Sequence, residues 1–316
     1  MALQVLLPLD GSPFSEQVLS FVGGLTRTAD VVLHLVQVHR TIRPFNARGP
    51  VSVFVDWDQR AGEQEYLDRV GGWLRTEFGC TVRTTVLQGG VVSALNGYMR
   101  EENIGLVVIT TYGSGGLKRA WMGSVAAGLV RTSPAPVLLV HPGVNGSPIA
   151  TKAVESILIP LDGSALSEQI IAPACTLASM LGARIRLLQV VTPARLAPPP
   201  GLEETNGTAS DLARERASEY LDELAHELRA CGHMVDSNVI VHWNPAAAIL
   251  DFCDGNADLI AMATHGRGGW QRVSLGSVTE RVQRNTLLPM LLLQPIARVD
   301  SYVPTVSALL PRSAAV

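Results

Sequence analysis

The chain has 316 residues, a net charge of −3 and 17% charged residues. That length predicts two domains of ordinary size. The near-neutral balance supplies neither a basic footprint for nucleic acid nor a basic run for a membrane surface, and the 47% hydrophobic, 5% aromatic composition suits buried parallel strands of Val, Ile and Leu.

Taken in chain order, the first half alternates strands with helices. Leu3–Leu9 is an apolar strand that ends in Asp10-Gly11-Ser12. Ser12 or Ser15 is expected to cap a helix running to about Arg27. Val31–Val38 is the second strand, followed by a loop over residues 40–60 and a helix over Ala61–Phe78. Thr81–Leu87 is β-branched and reads as a strand, Val92–Glu102 as a helix, and Leu106–Thr110 as the fourth strand. A glycine-rich loop then leads into a helix over Ser124–Thr132, and Pro136–Val140 is the fifth strand.

The second half repeats the list. Strands are expected at Ser156–Pro160, Arg184–Val191, Val235–Val241, Leu259–Ala263 and Met290–Leu293, and helices near Ser167–Leu181, Ser210–Ala230, Pro245–Asp254 and Ser277–Asn285. A proline-rich loop fills 192–208. The predicted division is a first domain over 1–142, a linker over 143–153, a second domain over 154–297 and a tail over 298–316. Strands alternating with helices of this length imply parallel pairing through right-handed crossovers, an α/β fold with helices on both faces of each sheet. Such sheets bind ligands beyond the carboxyl ends of their strands.

The repeated segments carry the chemistry. Pro8-Leu9-Asp10-Gly11-Ser12 returns as Pro160-Leu161-Asp162-Gly163-Ser164. After the fourth strand stand Thr110, Gly113, then Gly123-Ser124-Val125, matched by Ala263, Gly266, then Gly276-Ser277-Val278. A glycine after a strand lets the backbone turn with positive φ and approach a ligand. The first amides of a helix lack intrahelical partners and carry partial positive charge, so phosphate oxygens can accept from them. The reading therefore has the amides of Gly266, Gly276 and Ser277 converging on a phosphate chain. Asp10 and Asp162 can accept from ribose or an amine, and Val38 and Val190 offer apolar contact to a base. The competing reading is plain capping and turn chemistry; duplication of both elements at matched spacing favours a site.

Other chemistries are missing. The chain has no Gly-x4-Gly-Lys-Ser/Thr loop, no Gly-x-Gly-x-x-Gly after the first strand, no Gly-x-Ser-x-Gly elbow and no HExxH, which argues against a P-loop NTPase, a dinucleotide enzyme, an α/β hydrolase and a zinc protease. Lys118 has no counterpart in the second half, where Gln271 stands, and reads as a solvated charge. His34 reads as packed, and His242 as structural. Cys80, Cys175, Cys231 and Cys253 form no CxxC and do not recur between halves, the usage of a reduced cytoplasmic protein. The first residues carry no secretory pattern, and Asn145 and Asn206 match the glycosylation pattern by chance.

Gly-x2-Gly-x9-Gly-Ser together with Pro-x-Asp on the first strand resembles the universal stress protein family over nearly the whole chain, as two tandem domains. Thr264-His265-Gly266-Arg267-Gly268-Gly269 and Asn244-Pro245-Ala246 match closely. The resemblance implies two Rossmann-like domains, each a five-stranded parallel sheet in the order 3-2-1-4-5. It implies ATP, with Mg as an optional counter-ion, held by Pro8, Leu9, Asp10, Val38, Thr110, Gly113, Gly123, Ser124 and Val125 in the first half. In the second half the corresponding residues are Pro160, Leu161, Asp162, Val190, Ala263, Gly266, Gly276, Ser277 and Val278, with Arg267 within reach of a phosphate. It also implies edge-strand pairing into an intramolecular pseudo-dimer or a homodimer. Thr110 and Ala263 depart from the family's first glycine. If that position requires positive φ, the β-branched Thr110 is the worse fit, which ranks the second site first. Three functions remain open at this point: a nucleotide-dependent sensor or signalling module with no catalytic residue, an ATP-independent interaction module, and a slow ATPase or nucleotidyl transferase.

Overall fold

The computed structural model describes residues 2–26, 30–39, 57–111, 122–141, 153–193, 205–265 and 275–295. Of the sequence expectations, Gly113, Lys118, Gly266 and Arg267, most of the 40–60 loop, residues 143–152 of the linker and the tail fall outside these residues. The chain divides into two compact units, Met1–Thr151 and Lys152–Val316.

In the first unit the strands are β1 (Leu3–Pro8), β2 (Val31–His39), β3 (Thr81–Gln88), β4 (Leu106–Thr110) and β5 (Val137–Val140), and the helices are α1 (Val18–Thr26), α2 (Trp57–Phe78), α3 (Val91–Glu101) and α4 (Ser124–Thr132). All pairings are parallel and run in the order β3-β2-β1-β4-β5. Pro8 pairs with Val36. Strands β4 and β5 are buried along their whole length, the continuous apolar pattern of a sheet covered on both faces.

The second unit repeats this plan with β6 (Ser156–Leu161), β7 (Arg184–Val191), β8 (Val235–Val241), β9 (Leu259–Ala263) and β10 (Met290–Leu293). Its order is β8-β7-β6-β9-β10, again parallel, with Pro160 opposite Leu188. Its helices are α5 (Ala165–Glu168), α6 (Ile171–Leu181), α7 (Thr205–Ala230), α8 (Pro245–Cys253) and α9 (Ser277–Asn285).

Three boundaries differ from expectation, each for a local reason. The helix expected from Ser12 opens as a 3-10 turn over Ser15–Gln17 before α1 begins. The helix expected over Ser167–Leu181 is two helices, α5 and α6. Pro173 has no N–H to give to the carbonyl of residue 169, so the chain restarts with proline in the first turn of α6, where that donor is not needed. Helix α7 starts at Thr205, inside the segment read as loop. Gly207 costs a helix about 1 kcal/mol relative to alanine, and the long helix behind it carries the cost through cooperative propagation.

Candidate functional site

Each unit ends its first strand in the same hydrogen-bonded loop. In unit 2 the Asp162 carboxylate accepts from the Ser164 amide (3.0 Å) and hydroxyl (2.6 Å). Ser164 in turn caps α5 by accepting from the Ser167 amide at 3.2 Å. In unit 1 Asp10 accepts from the Ser12 amide (2.9 Å) and hydroxyl (2.5 Å), and Ser12 accepts from Ser15 at 3.2 Å. Gly163 and Gly11 sit at φ +74° and +77°, the left-handed region that glycine enters without penalty. The carboxylate therefore stands at the end of the central strand, held by its own turn. Asp162 is half-buried and Asp10 exposed.

The helix after the fourth strand corrects one expectation. The Gly276 amide donates to the Thr264 carbonyl at 2.7 Å, and Gly123 to Thr111 at 2.6 Å. These amides are spent on closing the strand-to-helix loop and are not available to a phosphate. A Cβ on Gly276 would lie 2.8 Å from the Thr264 carbonyl oxygen, so glycine stands here to let the helix start approach the strand end. Ser277 and Val278 open α9, whose cap makes no side-chain hydrogen bond. Their N–H groups, with that of Thr279, are the donors left at this end.

Thr110 and Ala263 also sit differently from the sequence reading. Both are the last residues of ordinary strands, β4 and β9, and among the described residues only Asn103 is a non-glycine with positive φ. The backbone strain held against Thr110 is therefore absent. What remains is bulk: Thr110 and Ala263 are both buried, and Ala263 leaves the more room.

In unit 2 these parts converge. A cleft of about 1520 Å³ lies at the carboxyl ends of β6, β7 and β9, lined by Pro160, Leu161, Asp162, Val190, Ala263, Gly276, Ser277 and Val278 together. It is larger than the roughly 300–1,000 Å³ typical of small-molecule sites. Its counterparts in unit 1 stand at the same strand and helix ends: Pro8, Leu9 and Asp10 after β1, Val38 in β2, Thr110 in β4, and Gly123, Ser124 and Val125 at the start of α4.

One wall was not foreseen. Helix α7 turns Ala213, Arg216, Ala217 and Tyr220 to the cleft, the i, i+3, i+4, i+7 spacing of a single helical face. The Tyr220 hydroxyl donates to Glu168 at 2.9 Å, tying α7 to the helix beside Asp162. Glu16 and Tyr66 are the unit 1 counterparts. Burial first and then Glu16 push the Tyr66 hydroxyl's titration upward. The signal was present in the sequence: Ser15-Glu16 returns as Ser167-Glu168, and Glu65-Tyr66-Leu67-Asp68 as Glu219-Tyr220-Leu221-Asp222.

A profile of the universal stress protein family matches residues 1–141 and, separately, 153–294. The chain belongs to the universal stress protein family. It is similar to a universal stress protein of Mycolicibacterium smegmatis, 25% identical over 92% of this chain and 97% of that one. A universal stress protein of Mycobacterium tuberculosis is 28% identical over 59% of this chain and 60% of its own length. The fold is shared with the crystal structure of a universal stress protein from Archaeoglobus fulgidus, at a TM-score of 0.65 and 19% identity, covering 92% of this chain and 96% of that one.

Within this universal stress protein His34 and His242 do structural work. His34 is fully buried in β2, between the Tyr98 hydroxyl at 2.9 Å and the Gln4 side-chain oxygen at 2.8 Å. Burial first, and then Arg83, lower its pKa. His242 accepts from the Asn244 amide at 3.0 Å and so shapes the turn that lets Asn244 cap α8. Among the described residues no cluster of three His, Cys, Asp or Glu side chains is placed to hold a metal ion, and no helix is long and apolar enough to cross a membrane.

Proposed function

We propose that this stress-type protein binds an adenine nucleotide in the unit 2 cleft and acts through ligand-dependent conformation rather than turnover. The observation that carries this reading is the cleft itself. It joins a carboxylate suited to ribose (Asp162), an apolar patch suited to a base (Val190 and Ala263) and the open amides of Ser277 and Val278 in one lining. Phosphate at a helix start is favoured by those amides and by the helix dipole. Unit 2 is the better candidate because Ala263 is the smaller residue.

Binding is tested by the small molecules released from freshly purified protein and by calorimetric titration with ATP. The expected result is retained adenine nucleotide and saturable uptake. Failure to take up ATP at millimolar concentration ends this reading and supports an ATP-independent interaction module. The Gly276–Thr264 hydrogen bond is the observation that favours that second reading, since it gives the glycine a structural purpose.

A further inference from the structure

The two units differ in residue type along the second strand and the helix that follows it. The strand register aligns the second strands: Pro8 lies opposite Val36 and Pro160 opposite Leu188, so three residues further on His39 stands where Val191 stands in unit 2. The shared Glu-Tyr-Leu-Asp segment aligns α2 with α7, so Gly62 stands for Arg216 and Glu63 for Ala217. In unit 2 Val191, Arg216 and Ala217 all line the cleft. In unit 1 the residues that replace the two apolar ones bond to each other: His39 Nδ1 lies 2.9 Å from Glu63 Oε2, with the side chains only 3% and 10% exposed. Space given to ligand in unit 2 is filled by this pair in unit 1. Arg216, by contrast, makes no hydrogen bond or ion pair with any described residue, and its position in unit 1 is a glycine.

We propose that this helix decides which unit accepts an anionic ligand: in unit 2 Ala217 leaves room and Arg216 supplies the cation, while in unit 1 the His39–Glu63 pair fills the site and Glu63 opposes a phosphate. The inference rests on the nucleotide reading above and narrows it to one ligand per chain, selected by charge. A guanidinium on the wall of a cleft, without a partner among the described residues, favours phosphate oxygens through charge-assisted hydrogen bonds. A carboxylate fixed at the matching place repels them. At this position α7 carries a cation and α2 a glycine.

The test is calorimetric titration of the full chain with ATP and, separately, with adenosine. Wild type is expected to take one equivalent of ATP. Arg216→Ala should weaken ATP about tenfold or more and leave adenosine affinity unchanged, because only the phosphates lose a partner. His39→Val combined with Glu63→Ala and Gly62→Arg, which installs the unit 2 residues, should raise the stoichiometry to two. Replacing a buried polar pair by apolar residues is generally tolerated, and a melting curve of the triple variant confirms folding. Two equivalents in wild type, equal ATP affinity in Arg216→Ala, or a folded triple variant that stays at one equivalent would each overturn the proposal. Absence of ATP binding in wild type instead overturns the reading on which it rests, so the two failures are told apart.

Discussion

Gln189 and Gln37 occupy the same strand position in the two units, and in each the side-chain oxygen is sealed without a hydrogen-bond partner. A buried acceptor left unmade costs about 1–3 kcal/mol. Gln189→Leu keeps the volume and removes that cost, so it should raise the melting temperature of the ligand-free protein; a fall would mean that the carboxamide has a partner in solution. Gly276→Ala acts the other way. The added methyl meets the Thr264 carbonyl oxygen at 2.8 Å and should destabilise the protein by about 1–3 kcal/mol, the usual cost of overpacking, read as a lower denaturation midpoint. Ser277→Pro separates binding from folding. Gly276 already has φ −56° and ψ 147°, which suits a residue before proline, and proline is favoured at the first helical position. The variant keeps the helix, loses one phosphate donor, and should weaken ATP about tenfold, in line with the roughly 1.5–3 kcal/mol of a charge-assisted hydrogen bond.

At the scale of elements, the bond between Tyr220 and Glu168 holds α7 against α5 at the rim of the cleft. Tyr220→Phe should cost about 1 kcal/mol, measured in a denaturant titration, with α7 remaining helical by circular dichroism. The strands were legible in the sequence because continuous apolar runs such as Leu106–Thr110 and Leu259–Ala263 suit a sheet covered on both faces; their order came with the family resemblance and not from the runs. The loop after the first strand was legible because Asp-Gly-Ser carries its own hydrogen bonds. The α5–α6 break was missed, since Pro173 can sit inside a helix pattern or in the first turn of a new one, and sequence alone does not choose. The purpose of Gly276 was also misjudged. A glycine needed for close approach to a carbonyl looks, in sequence, like a glycine needed for close approach to a ligand. The cleft wall on α7 went unseen because Arg216 and Tyr220 lie in a helix whose ligand-facing side is set by packing on β7 and β8.

Over the whole molecule, buried thiols set a pH limit. Burial pushes Cys253 up to about 12, and burial with Cys231 nearby does the same for Cys175, against an ordinary value of 9.0. The unfolded chain gives up these protons near pH 9 while the folded chain keeps them to about pH 12. The native state then binds more protons than the unfolded one, so stability falls as pH rises through this window, by about 1.4 kcal/mol per pH unit for each thiol. Melting curves from pH 8 upward should show a shallower decline in Cys253→Ala than in wild type.

The central claim is that the unit 2 cleft binds a nucleotide whose phosphates meet the start of α9. Hydrogen exchange of the intact chain, with and without saturating ATP, reads this directly. The prediction is slowed exchange at Ser277 and Val278, with the corresponding amides at Ser124 and Val125 unchanged. Unaltered exchange at Ser277 and Val278 in a protein shown to have bound ATP would contradict it.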